Sequence, residues 1–128
     1  MSKSTCYFRC RAMAPDTPVN FDALLGDLIL DSNGNNYLEW LRVLDNNLHM
    51  IKKEYLIRAE LPTPPMVNAS EEEKIVYASL KADYDVVRQV MLSHMDKYLK
   101  FAFEFSTICE MIATLNKWYM NWLKAKRQ

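Results

Sequence analysis

The sequence predicts an all-α fold, a compact bundle of four to five helices behind an irregular N-terminal arm. Three observations carry that prediction. Half of the 128 residues are apolar and 25% are charged, which suffices for a packed core. Two glycines and five prolines are too few for a turn-rich β fold. Apolar residues recur at intervals of three and four along most of the chain.

Residues 1–19 lack periodicity and contain Pro15 and Pro18, so they read as an irregular basic leader. Residues 20–128 read as one helical domain. Phe21, Leu24, Leu25, Leu28 and Ile29 fit a short helix, with Asn20 placed to cap it. Asp31-Ser32-Asn33-Gly34-Asn35 is turn chemistry, since Asn and Asp bond their own backbone and Gly accepts the left-handed region.

The next helix has the clearest pattern. Asn36 and Glu39 stand at capping-box spacing. Tyr37, Leu41, Leu44, Leu48, Ile51 and Tyr55 form one stripe, widened by Trp40, Val43 and Met50. Leu61-Pro62-Thr63-Pro64-Pro65 ends regular structure and predicts an exposed, extended link. Ser70 with Glu71, Glu72 and Glu73 is a helix start. Ser70 caps, Glu73 closes the box, and the carboxylates face the positive end of the helix dipole. That helix should run to about Met95 on Tyr77, Leu80, Tyr84, Val87, Met91 and Met95.

Residues 96–105 are dense in aromatics. Their alternation suits a strand, but their helical neighbours favour a short helix or irregular turn. Thr107 and Glu110 open the last helix, whose apolar face is Ile108, Met111, Ile112, Leu115, Trp118, Tyr119, Trp122 and Leu123. The expected core is Tyr37, Trp40, Leu44, Leu48, Tyr84, Val87, Ile112 and Leu115.

Lys+Arg and Asp+Glu number 16 each, which disfavours a globally basic nucleic-acid binder. The charge is uneven. Residues 1–15 carry +3 and residues 117–128 carry +4, around an acidic middle. Such a distribution suits pairing between copies as well as plain solubility. Cys6, Cys10 and Cys109 make an odd count without a secretory signal, so a reducing, cytoplasmic setting is expected. Cys6 and Cys10 have zinc-like separation, but no second Cys/His pair follows, and His49 and His94 are isolated. No metal site or cofactor is expected. No run is long and apolar enough for a membrane span.

Gly26 and Gly34 are the only glycines, so there is no phosphate-cradling loop. Ser93 and His94 are adjacent, and helix neighbours point apart, so they should not form a dyad. An enzyme acting on a small-molecule substrate is not expected. Two surfaces are candidates for contact: the link at Pro64 and Pro65, and the C-terminal aromatics Trp118, Tyr119 and Trp122. The aromatics alternate with Lys117, Lys124, Lys126 and Arg127, a pattern that also suits weak stacking on single-stranded RNA.

Two segments resemble one family. Asn36-Tyr37-Leu38-Glu39-Trp40, after a small polar turn, resembles the Asn-Tyr-x-x-Trp start in Gag polyproteins of plant copia-type LTR retrotransposons. Glu110-Met111-Ile112-Ala113-Thr114-Leu115-Asn116-Lys117-Trp118-Tyr119 is similar to that family's Glu-Met-Trp-x-x-Leu-x-x-Leu-Tyr segment. Between them, a long helix, a Pro-rich link, a Glu-rich helix start and Met91-Leu92-Ser93-His94-Met95 follow the family's order. The resemblance covers residues 21–120. It departs from the family at Ile112, where the family has Trp, and at Trp118, where it has Leu. No zinc knuckle is present. The resemblance implies an N-terminal capsid-like domain, a truncated or domesticated remnant. Its role would be self-association or contact with related Gag proteins. A helical adaptor for a host protein, or a weak RNA-binding domain, is the alternative.

Overall fold

A computed structural model describes residues 21–120. Of these, 64% are helical and none lies in a strand, so the fold is all-α. Five helices follow in order: α1 (Tyr37–Met50), α2 (Tyr55–Arg58), α3 (Glu71–Ser93), α4 (Lys97–Ala102) and α5 (Ile108–Leu115). A 3₁₀ turn at Phe21–Leu24 precedes them, and a π-helical turn at Asn116–Met120 continues α5.

The expected helix over Phe21–Ile29 is only that 3₁₀ turn. Gly26 adopts a φ of 57° and turns the chain away. Leu30 then peels off to form an isolated parallel bridge with Met95. Its N–H donates to the His94 carbonyl at 2.8 Å, and its carbonyl accepts from Asp96 N–H at 2.8 Å. The Trp40 indole N–H donates to the same His94 carbonyl at 3.0 Å. Leu30 and Trp40 are fully buried, so this carbonyl joins three segments inside the core. The cap expected of Asn20 lies outside the described residues.

Asn36 precedes α1 but does not cap it with its side chain. Its Oδ1 accepts from Asp31 N–H at 3.0 Å, and its Nδ2 donates to the Ile29 carbonyl at 2.7 Å. The amide therefore serves as a partner for the extended backbone, and the expected box with Glu39 is absent. The long stripe of α1 also stops early. Lys52 takes a φ of 62°, and the N–H groups of Lys52 and Lys53 donate to the carbonyls of His49 and Leu48. That double bond is a Schellman ending, here without the usual glycine. Tyr55 consequently starts α2 and is 42% exposed.

Ser70 and Thr107 form both halves of their capping boxes. α3 ends at Ser93, two residues before the expected Met95, because His94 and Met95 join the Leu30 bridge. Residues 96–105 contain the short helix α4 and a turn. Arg88 of α3 fixes that turn. Its Nε donates to the Ser106 carbonyl at 2.7 Å, and its Nη2 donates to the carbonyls of Phe103 and Glu104. The Tyr84 hydroxyl accepts from Ile108 N–H at 3.0 Å, which satisfies one of the free donors at the start of α5.

Tyr37, Trp40, Leu44 and Leu48 of α1, the second half of α3, and Ile108, Met111 and Leu115 of α5 supply most of the core. Of the eight expected core residues, Ile112 alone is partly buried. It lies at the rim of a cleft beside Leu38, Leu41 and Ile57. Lys53 is 4% exposed, and its ammonium donates to Asp83 Oδ2 at 2.7 Å. An ammonium withdrawn from water requires such a carboxylate. No helix of the described residues is long and apolar enough to cross a membrane.

Candidate interaction surface

α4 is six residues long, so it can turn only one narrow face inward. Leu99 and, just beyond the helix, Phe103 occupy that face and are buried. Tyr98, Phe101 and Phe105 are left 68%, 81% and 92% exposed. Asp96 starts the helix by accepting from Tyr98 N–H at 3.0 Å. Arg88 holds its far end, as described above. The exposed rings are therefore carried on backbone that is tied at both ends. Lys97 places its ammonium 5.3 Å from the Tyr98 ring centroid. Between α3 and α4 runs an open groove of about 500 Å³, walled by Leu92, Ser93 and Phe101 and flanked by Lys97 and Lys100.

Trp118 is 45% exposed and packs its ring against Phe103, with centroids 5.6 Å apart. Tyr119, expected as a contact residue, belongs to the core. Its hydroxyl donates to the Ser32 carbonyl at 2.7 Å, and its ring lies 5.6 Å from that of Tyr37. The ring also covers Gly34, where φ is 75° and a Cβ would overlap it. The π-helical turn makes this possible by shifting Tyr119 relative to a regular α-helical continuation. Asn116 at the same turn accepts a hydrogen bond from the Tyr37 hydroxyl at 2.6 Å. Burial pushes the Tyr37 phenol well above its ordinary value; burial, aided by Asp96, also raises that of Tyr119.

Pro64 is exposed and Pro65 half-buried, in a link without helix or strand. Lys117 is exposed. Trp122, Lys124, Lys126 and Arg127 lie outside the described residues, as do Cys6 and Cys10. Cys109 is half-buried, and burial raises its thiol, with Glu60 adding to the effect.

Ser93 and His94 do approach each other, with Oγ and Nδ1 at 3.1 Å. The expectation that they point apart fails because His94 has already left the helix. Nδ1 also lies 2.8 Å from the Val90 carbonyl, and Nε2 lies 2.9 Å from the Gly26 carbonyl. Carbonyl oxygens only accept, so whichever of these nitrogens carries the ring hydrogen donates to its carbonyl. The Ser93 hydroxyl donates to Val90 as well, at 2.9 Å. Here the imidazole fastens the Gly26 turn to the end of α3.

The sequence signal for the exposed rings was present in 99–105. Leu99, Phe101, Phe103 and Phe105 alternate, and a helix cannot bury residues two apart on one narrow face. Compared with known proteins, the chain matches no family model, no curated protein and no solved structure.

Proposed function

We propose that this chain is a structural, self-associating domain of the capsid-like kind, as its resemblance to the N-terminal part of copia-type Gag implies. The observation that carries the proposal is the exposed aromatic set of Tyr98, Phe101 and Phe105 on backbone held by Asp96 and Arg88. Large rings on pre-ordered backbone lose little freedom on contact, which suits them to protein interfaces. Two segments that carry the resemblance also meet in the core, through the Tyr37 hydroxyl and Asn116. The mechanism is physical: a rigid helical unit offers contacts that are weak singly and sum over many copies.

The exposure of Pro62, Thr63 and Pro64 favours a second reading, an extended segment offered to a host partner. Sedimentation over a concentration series, at low and moderate salt, tests the first. Reversible dimers or larger species are expected, weakened by the double substitution Phe101→Ser with Phe105→Ser. A strict monomer at every concentration removes self-association and leaves the second reading.

A further inference from the structure

The outward side of α3 carries a row without charge. Ile75, Ser79, Ala82, Val86 and Gln89 recur at steps of four and three, the spacing of a helix–helix seam. This row lies opposite Tyr84, Val87 and Met91, which hold α3 to the core. Ile75 and Val86 are 58% and 43% exposed. A solvated helix face is normally charged. Here the nearby charges, Lys81 and Asp85, pair with each other at 2.9 Å along one flank.

The two ends of the row differ in sign. Glu71 and Glu72 stand at its start, and the nearest cation to Glu71 is Lys74, at 3.7 Å. Gln89 at its other end opens onto the groove lined by Lys97 and Lys100 and by one carboxylate, Glu104, which leaves that end with an excess of positive charge. Neither lysine has a carboxylate partner among the described residues.

We propose that this face packs against the same face of a second copy, with the two α3 helices antiparallel about a twofold axis midway between Ser79 and Ala82. The proposal rests on the self-association reading above and names its contact. In this register Ile75 meets Val86 of the other copy, and Ser79 meets its Ala82. Small side chains beside the axis let the helices approach to about 8 Å. Glu72 comes opposite Gln89 of the other copy, which brings the acidic end beside that copy's Lys97 and Lys100. Met66 and Val67, 74% and 93% exposed just ahead of α3, then face the groove at Phe101.

The charge pattern selects the occupant. With a net excess of acid at one end of the row and of base at the other, a twofold axis joins acid to base twice. A parallel arrangement would set acid on acid.

The test is sedimentation equilibrium on the full chain, with circular dichroism to verify the fold. Val86 is exposed, so Val86→Arg should keep its helicity and weaken the dimer about tenfold or more. Glu71→Lys with Glu72→Lys should weaken it, and so should Lys97→Glu with Lys100→Glu. Mixing those two reversed chains should restore association, because both ends of the mixed dimer are then complementary. Undiminished association of Val86→Arg, with no gain on mixing, overturns this face and leaves self-association standing. Association that the Val86 change weakens, but that mixing does not restore, overturns the antiparallel register. A monomeric wild-type chain removes both proposals.

Discussion

The two halves of α3 are continuous helix held by different forces. From Glu71 to Ala82 no residue is fully buried, and Ile75 and Val76 are 58% and 44% exposed. From Asp83 to Ser93, Tyr84, Val87, Val90, Met91 and Leu92 are all buried. The first half packs the partly buried Leu80 against the core and otherwise relies on the Ser70–Glu73 capping box, three carboxylates at the positive helix end, and ion pairs along the surface. Each such term contributes about 1 kcal/mol or less. The second half relies on burial, at roughly 1.5–3 kcal/mol per large apolar side chain. Local terms mark where the helix starts, but they do not specify what its faces touch.

The largest expected effect contrasts one residue from each half. Met91→Ala removes a fully buried side chain and should cost about 2–5 kcal/mol by urea denaturation. Ile75→Ala should change monomer stability by no more than about 0.5 kcal/mol. Comparable losses from both would mean that the first half packs more tightly than its exposure indicates.

Alkaline pH sharpens the contrast from the other side. Tyr37 and Tyr119 are held neutral by burial, so their folded-state values lie above those of the unfolded chain. Their contribution is fully present below the ordinary phenol value of about 10, and it is lost as pH rises beyond that toward the folded values. The urea midpoint should fall above that pH, and Tyr37→Phe should fall less steeply. An unchanged midpoint into strong alkali would show that these phenols are not the buried groups described.

The smallest effect belongs to the cap. Ser70→Ala should cost about 1 kcal/mol. Faster amide hydrogen exchange should be confined to the first turns of α3, with protection from Asp83 onward preserved. Loss of protection throughout α3 would show that the two halves open as one unit.

Much of this architecture was legible before any coordinates. Ser70/Glu73 and Thr107/Glu110 form the boxes their spacing announces, since each bond joins residues three apart. Asn36/Glu39 has the same spacing and forms no box, because Ile29 and Asp31 compete for the amide across a fold-dependent approach. Tyr119 showed the same ambiguity in the aromatic stripe. Periodicity put it on an apolar face, and nothing local indicated that Ser32 and Gly34 would take it into the core.

The candidate surface was less legible than the core. Trp118 is half-exposed, whereas the larger exposure of Tyr98, Phe101 and Phe105 does not follow from their aromatic density and alternation in the sequence. Their exposure follows from α4 being so short and from Arg88 capturing carbonyls at its exit.

The apolar stripes of α1, α3 and α5 and the capped starts of α3 and α5 were determined by the sequence alone. Those depend on backbone preferences and on side chains within one or two turns of each other. The end of α1 at Lys52, the crossing of Leu30 beside Met95, and the division of the rings between core and solvent were decided by tertiary structure. Each of these depends on groups far apart in the chain, whose meeting is settled only when the whole core closes.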